Sequence, residues 1–290
     1  MKREEERVSV RGLLLLTALL ITWGALPAFA DWEPGQPAVH YQLPDFSGWD
    51  VYSEWGDGPY YHGPDPDEDG YGAANDWTAT VTAAVTDIHF WGSWKSDVVG
   101  TTGDIQLQIY SNDSTHYGFD QPGDVLWSRV IEPGQYEGKK YHEDDWELQG
   151  WYDPRYSDDN PYLQYHYPDH KGIYQYNIPN IEDAFVQQEG ETYWLMISMN
   201  FEGCEWGWKT SETVEGNGSL FWDAYYSYSS YYPTCWYHPE VDWRWVQLQE
   251  GGWCSYDKEP LDLAFVITPE PATLLLLAVG AAAVLRKRRR

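Results

Sequence analysis

An acidic segment at residues 65–76 has the spacing of a calcium-binding loop. It begins D-P-D-E-D-G and ends in an aspartate, so Asp65, Asp67, Asp69 and Asp76 stand at positions 1, 3, 5 and 12. Hard oxygen ligands at alternate positions, with a glycine that allows a sharp turn, suit Ca²⁺. Position 12 usually holds Glu, and no helical pattern flanks the segment, so an EF-hand domain is not expected. We predict a loop between strands with Ca²⁺ as its cofactor; the alternative is a solvated acidic turn.

A second segment, residues 225–237, reads YYSYSSYYPTCWY. Neighbouring residues in a strand or loop point in different directions, so this segment cannot bury every ring. Exposed aromatic side chains can stack on sugar rings while nearby acids accept hydrogen bonds from the hydroxyl groups. The alternative is packing inside the fold, which is expected for most of the 18 Trp residues. The residues predicted to contact a glycan are Tyr228, Tyr231, Tyr232 and Trp236.

The sequence carries no signature of a known catalytic site. It lacks the G-x-S-x-G, H-E-x-x-H, P-loop and G-x-G-x-x-G patterns. His166 and His170 are four residues apart, but Pro168 lies between them, so we predict exposed loop histidines rather than a helical metal pair. Glycoside hydrolysis needs two carboxylates at a set separation. A chain with 46 acidic residues offers such pairs by chance, so their presence does not indicate a glycosidase. No catalytic residue is therefore assigned, and a non-enzyme is favoured.

Three cysteines, Cys204, Cys235 and Cys254, allow at most one intramolecular disulfide. We predict a Cys235–Cys254 bridge, because the segment between them can form a hairpin. Cys204 could replace either partner, and three reduced thiols are the remaining alternative. Without a C-x-x-C pair, a structural zinc site is not expected.

Alternation of apolar and polar residues predicts the elements that would position these side chains. It is strict in residues 104–110 (DIQLQIY), and in residues 86–91 it places Ile88 and Phe90 on one strand face. No long helical periodicity occurs between the two ends of the chain. Further predicted strands are 125–131, 193–199, 243–246 and 261–267, and a strand that places Trp206 and Trp208 on the same face.

These patterns predict an all-β fold. Residues 31–268 are expected to form a single β-sandwich or jelly-roll-like domain of roughly ten strands. Residues 136–180 are rich in proline and aspartate, and are predicted to form a long loop insertion over one face.

Charge and composition exclude some classes of protein. The formal net charge is −28, and nine of the 18 Lys and Arg residues lie in the two terminal segments, so residues 31–268 are strongly acidic. Nucleic-acid binding needs a basic surface, so it is not expected. Aromatic residues make up 17% of the chain, which argues against disorder.

The first 30 residues have the pattern of a secretory signal peptide. Basic residues precede an apolar run at 13–21, and Ala28 and Ala30 form a small-x-small cleavage site. We predict cleavage after Ala30; the alternative is a leader that is retained as an anchor.

The C-terminus combines Pro269, Glu270 and Pro271 with an apolar run at 272–285 and a basic end at 286–290. As a helix the apolar run would span about 21 Å, short of the ~30 Å hydrocarbon core. Its basic end is expected to stay cytoplasmic, which places the rest of the protein outside the inner membrane. Proline disfavours helix, so the Pro-Glu-Pro motif is expected to be extended and accessible.

This tail resembles the PEP-CTERM sorting signal of bacteria with a Gram-negative-type envelope. The resemblance implies an inner-membrane anchor during sorting, cleavage near Pro-Glu-Pro by the membrane enzyme exosortase, and release to the cell surface or an exopolysaccharide matrix. The alternative is a permanent single-pass transmembrane helix.

Residues 76–94, together with the segments around Trp194, Trp208 and Phe265, resemble an uncharacterised extracellular domain of PEP-CTERM proteins of planctomycete-type bacteria. The resemblance covers most of 31–267 and implies fold and location, but no catalytic residue. Three functions follow: a non-catalytic surface or matrix protein that contacts glycan, a carbohydrate-active enzyme on the same fold, or a purely structural acidic protein.

Overall fold

The computed structural model describes residues 31–55, 70–115, 120–154, 164–212, 220–223, 244–250 and 259–268. Regular structure in these ranges is almost entirely β, apart from a 3-10 turn at Lys95–Asp97. No helix in them is long and apolar enough to cross a membrane. The predicted leader and sorting helix lie outside the described residues.

The strands form two large sheets and two short two-stranded ribbons. In chain order they are β1 (His40–Gln42), β2 (Trp49–Tyr52), β3 (Glu54–Trp55), β4 (Gly70–Tyr71), β5 (Ala73–Thr78), β6 (Ala83–Ala84), β7 (Asp87–Trp94), β8 (Thr101–Asp113), β9 (Gln121–Ile131), β10 (Glu137–Glu143), β11 (Gln149–Tyr152), β12 (Tyr165–His170), β13 (Gly172–Ile178), β14 (Val186–Gln187), β15 (Thr192–Glu202), β16 (Trp206–Lys209), β17 (Leu220–Asp223), β18 (Arg244–Gln247), β19 (Gln249–Glu250), β20 (Glu259–Pro260) and β21 (Phe265–Thr268).

The first sheet, of nine strands, is organised around β7. Strand β13 pairs with one side of β7, and β21 and β16 pair in succession along its other side. The sheet continues from β16 through β2 and β11 to β12, and from β13 to β10. Its pairs are antiparallel except for β2 with β11. Strand β1 pairs with β21, and β1, β10 and β12 are edge strands, with β10 and β12 far from each other in the sheet.

The second sheet, of eight strands, is organised around β15. Strand β15 pairs with β8 along one side and with β5 and β3 along the other. Strand β9 extends the sheet beyond β8, while β17 and β18 extend it beyond β5. The ribbons are β6 with β14 and β19 with β20.

The two sheets pack against each other around one apolar core. Strand β8 contributes Ile105, Leu107 and Ile109, all fully buried, while the intervening residues are partly exposed. Strand β16 contributes Trp206 and Trp208, which lie on one face as predicted. The β-sandwich expected from the sequence is therefore confirmed. The structure has more strands than the roughly ten predicted. Many of them contain only two to four residues, which is too short for a pattern of alternation to be seen in the sequence.

The outer face of the first sheet is also buried. Every residue of β7 is buried, although alternation puts Ile88 and Phe90 in the inter-sheet core and Trp91 on the opposite face. Residues 31–48, here called the cover segment, lie over that opposite face, where Trp32 packs edge-on to Trp91 with ring centroids 6.3 Å apart. Apart from β1, which is an edge strand of the first sheet, the cover segment therefore forms a third layer over part of the sandwich.

The predicted loop insertion at 136–180 is wrong over most of its length. The described part of this region forms four strands, β10 to β13, all of which join the first sheet. Strand β13 is buried on both faces: Tyr176 lies in the core between the two sheets, and Ile173 packs with Trp32 and Trp91 on the outer face. Proline and aspartate are concentrated in the connections, and this composition obscures the strands between them.

Candidate functional site

A cluster of charged side chains is buried on the outer face of the first sheet. Asp50, His170 and Lys209 are each no more than 1% exposed. Asp50 Oδ2 lies 2.8 Å from His170 Nε2 and 3.1 Å from Lys209 Nζ. The other ring nitrogen of His170, Nδ1, lies 2.9 Å from Asp169 Oδ2. We call these four residues the charged cluster.

Strand pairing explains why two of these side chains meet. In the antiparallel pair β2–β16, Lys209 lies directly opposite Asp50. The backbone N–H of Thr210 donates to the carbonyl of Trp49 at 2.9 Å, so the adjacent Lys209–Asp50 pair occupies a non-hydrogen-bonded position, where side chains approach more closely. Both residues alternate with core residues and thus point to the outer face.

The remaining members come from the edge of the same sheet. Strand β11 pairs in parallel with β2 and places Trp151 beside Asp50. Strand β12 follows, and its last residue, His170, has its ring 6.4 Å from that of Trp151 in an edge-on arrangement. Asp169 is held by the backbone N–H of Ser96, which donates to it at 2.7 Å. The cluster thus draws on three strands that are widely separated in sequence.

Electrostatics in the cluster follow from burial and close charges. Burial alone would lower the pKa of His170, but the charge of Asp50 and hydrogen bonds to Asp169 and Asp50 outweigh it and raise this pKa to about 9. Burial raises the pKa of Asp50, but Lys209 and His170 overcome this effect and hold it below its usual value. Burial also lowers the pKa of Lys209, which Asp50 offsets only in part.

The charged cluster is closed to substrates. Trp151 is fully buried beside it, and the ammonium group of Lys95 lies 5.4 Å from the centroid of the Trp151 ring. An Asp–His pair can perform acid–base chemistry, but a general acid or base must come within hydrogen-bond reach of its substrate. Buried in this way, the cluster cannot serve as the active site for an external molecule.

An open groove lies elsewhere on the outer face, between the cover segment and β10. It has a volume of about 370 Å³. Three rings line it: Phe46 lies 4.5 Å from His142 and 6.3 Å from Tyr141, measured between ring centroids, and is nearly parallel to Tyr141. The other lining residues are Asp31, Glu33, Lys139, Lys140 and Gln175.

Charged and polar groups surround these rings. Lys139 forms an ion pair with Asp31, and Lys140 forms one with Glu143 at 2.9 Å. Gln175 also lines the groove and is buried, and its amide donates to the carbonyl of Trp32 at 2.8 Å. The groove is therefore lined by aromatic side chains beside donors and acceptors, a combination that suits a polar ligand with apolar faces.

The protein also has exposed aromatic side chains outside the groove. Trp146, in the turn after β10, is 91% exposed, and Tyr41 and Tyr167 are more than half exposed. The backbone N–H of Trp146 donates to Asp144 Oδ1 at 2.9 Å, which fixes the turn. Most described Trp residues are nevertheless buried, as predicted.

The predicted calcium loop is described only at its last ligand. Asp76 lies in β5 opposite Trp194 and is buried. Asp65, Asp67 and Asp69 lie outside the described residues. In the part of the chain that the structure describes, no group of three or more His, Cys, Asp or Glu side chains could hold a metal ion. Calcium binding by residues 65–76 stays a prediction.

Several other predicted sites also lie outside the described ranges: the signal cleavage site (Ala28, Ala30), the glycan contacts (Tyr228, Tyr231, Tyr232, Trp236), the cysteines Cys235 and Cys254, and the sorting motif (Pro269, Glu270, Pro271). Cys204 is described, and it is a free, partly buried thiol whose Sγ lies 3.3 Å from the carbonyl oxygen of Lys95. Burial raises the pKa of this thiol.

The prediction that His166 and His170 are exposed loop residues is wrong for His170. Both residues lie in β12, where His166 is partly exposed and His170 is buried. Pro168 does not interrupt the strand, because β12 is at the edge of the sheet and an edge strand can do without one N–H. No sequence motif links His170 to Asp50 or Lys209, which are 120 and 39 residues away along the chain.

Two family models match the chain. Residues 268–290 match the PEP-CTERM protein-sorting motif, so the protein is exported and sorted by exosortase. Comparison with curated proteins and with solved structures gave no match. Residues 38–268, most of the chain, match the domain of unknown function DUF7901, and the protein belongs to this family.

Proposed function

We propose that this exported protein is a non-catalytic component of the cell surface or extracellular matrix, and that it binds glycan in the groove between the cover segment and β10. The observation that carries the proposal is the set of three rings, from Phe46, Tyr141 and His142, lining an open groove of about 370 Å³. Export through the exosortase pathway brings such a groove next to the polysaccharides of the envelope.

The chemistry of the groove suits a sugar better than a purely apolar molecule. Sugar rings have apolar C–H faces that pack on aromatic rings, and hydroxyl groups that need hydrogen-bond partners. Phe46 and Tyr141 are partly buried, and this anchors their rings in the groove. The ion pairs at the rim place carboxylate acceptors and ammonium donors next to those rings. A bound saccharide can therefore stack and hydrogen-bond in the same place.

Glycan-array binding with the full chain and two single variants tests this proposal. Tyr141→Ala removes a ring from the groove, and binding is expected to fall at least about fivefold, because an aromatic anchor at the centre of an interface contributes about 1 kcal/mol or more. Tyr167→Ala removes an exposed ring from the distant edge strand β12, and binding is expected to remain unchanged.

Three outcomes would count against the proposal. If the full chain binds no glycan, the protein is a purely structural acidic component. If both variants lose binding equally, the effect is not specific to the groove. If only Tyr231→Ala, in the tyrosine-rich segment, loses binding, the glycan site lies at residues 225–237. Release of reducing sugar from a bound polysaccharide would instead identify an enzyme.

A further inference from the structure

We propose that Lys209 and Asp50 become joined by an amide bond, formed by the folded protein itself between Lys209 Nζ and Asp50 Cγ with loss of one water. The bond would be an internal covalent cross-link between β16 and β2. This inference concerns the charged cluster and does not rest on glycan binding.

The two reacting groups are already placed for this reaction. Lys209 and Asp50 are opposite each other in adjacent antiparallel strands, and Nζ lies 3.1 Å from Oδ2. Both side chains are fully buried. Oδ2 is bonded to Cγ, so this contact places the amine next to the carbon that it would attack. Groups held together in this way react as if at very high concentration, because their relative motion has already been lost on folding. Water, which would favour hydrolysis of the product, has no access to either side chain.

The arrangement around Asp50 is asymmetric in a way that favours condensation. Both donors, His170 and Lys209, contact the same oxygen, Oδ2, while Oδ1 is buried without a hydrogen-bond partner. A buried carboxylate oxygen without a donor is costly, whereas the oxygen of a neutral amide costs less. Amide formation would remove two buried charges and retain Oδ1 as the amide oxygen, while the doubly contacted Oδ2 departs.

The ionisation states of Lys209 and His170 suit the reaction, whereas the lowered pKa of Asp50 requires that Oδ2 is protonated during the attack rather than before it. Burial lowers the pKa of Lys209, which increases the fraction of the neutral, nucleophilic amine. The raised pKa of His170, about 9, keeps its imidazole protonated at neutral pH and able to act as an acid. Asp169 lies against the far side of this ring at 2.9 Å and stabilises the protonated form.

The step balances with the groups present. The neutral Nζ of Lys209 attacks Cγ, and the Nζ–Cγ bond forms. During this attack, His170 passes its Nε2 proton to Oδ2 of the Asp50 carboxylate. The Cγ–Oδ2 bond then breaks, and Oδ2 leaves as water, carrying the proton from His170 and one proton from Nζ. The products are a secondary amide, one water and a neutral imidazole. No oxidant or cofactor is required.

Such a bond would connect distant parts of the chain. Asp50 and Lys209 are 159 residues apart, so the amide would close a very long loop. A cross-link over a long loop restricts the unfolded chain and so favours the folded state. The thiol of Cys204 is free, and an amide has the further advantage that reducing agents do not break it.

Peptide mapping of the full chain tests the proposal. Digestion of the denatured protein after glutamate separates the fragment that contains Asp50 and ends at Glu54 from fragment 206–212, which contains Lys209. We expect a branched peptide whose mass is the sum of both fragments less about 18 Da, one water. The exposed ion pair of Lys171 with Asp145, at 2.7 Å, is an internal control that should remain uncoupled.

Two variants identify the groups involved. Lys209→Arg keeps a cation but has no amine to acylate, so the branched peptide should be absent. His170→Gln keeps a side-chain donor but not the acid, and the branched fraction in early samples should fall at least about a hundredfold, the lower end of the contribution of a general acid. If the wild-type protein yields the two fragments only as separate peptides, the proposal is wrong and the cluster is a buried ion pair. Equal coupling in the Lys171–Asp145 control would also overturn it.

Discussion

The charged cluster and the groove lie on the same outer face of the first sheet, but they differ in access to solvent. In the charged cluster, Lys209 and Asp50 are fully buried and in contact. In the groove, Lys139 and Lys140 are exposed and their ion pairs are at the surface. The comparison shows that residue type does not decide the role of a charged group here. What surrounds the side chain decides whether it can contact an external ligand or only its own chain.

The first prediction concerns the buried cation. Lys209→Ala should lower the free energy of unfolding by about 3 kcal/mol or more, because it removes one of the two buried partners of Asp50 and leaves the carboxylate paired with His170 alone. Lys139→Ala, in the open groove, should have little effect, since its ion pair is exposed to solvent. Chemical denaturation of the full-length variants measures both. Equal stability of the two variants would show that the charged cluster is not sealed.

A second prediction compares two tryptophans of neighbouring elements. Trp151 is fully buried beside the charged cluster, and Trp151→Ala should cost about 3–5 kcal/mol. Trp146 is 91% exposed, and Trp146→Ala should change stability by no more than about 0.5 kcal/mol. Thermal unfolding of the pair is the measurement. A large loss for Trp146→Ala would mean that its ring packs against another part of the chain.

The third and smallest predicted effect is a pH dependence under the cover segment. His89 is buried with its Nδ1 2.6 Å from Asn177 Oδ1, and burial lowers its pKa, which the hydrogen bond and Asp87 offset only in part. The unfolded chain therefore binds a proton more readily, so stability should decrease as pH falls below the unfolded value of about 6.5.

His89→Gln should remove this part of the pH dependence. The measurement is the free energy of unfolding of both proteins from pH 7.5 to 5. The two curves should converge toward low pH if His89 is the group responsible. Parallel curves would show that His89 does not contribute to acid sensitivity.

Alternation of apolar and polar residues predicted the strands well where only one face of the strand is buried. Ile105, Leu107 and Ile109 alternate with polar residues, and β8 is buried on one face only. It predicted β7 less well, because burial of Trp91 depends on the cover segment, a stretch of mostly irregular chain whose docking leaves no periodic pattern. Long-range contacts of this kind are determined by topology rather than by local sequence.

The charged cluster was beyond prediction for a related reason. Asp50, His170 and Lys209 come together only because β2, β11, β12 and β16 are neighbours in the sheet. Their spacing along the chain fits no motif, and Pro168 suggested a loop around His170. The groove was missed in the same way, since Phe46 and Tyr141 belong to segments nearly one hundred residues apart. The C-terminal sorting motif was recognisable because it is a continuous segment.

Hydrogen–deuterium exchange of the full chain, with and without the oligosaccharide that binds it most strongly on the array, tests the central claim most directly. The account predicts slower exchange at residues 139–142 of β10 and in the cover segment around Phe46 when the sugar is bound. It predicts no change at β2 and β16, which hold the charged cluster. Unchanged exchange in the groove, or protection confined to residues 225–237, would contradict the account.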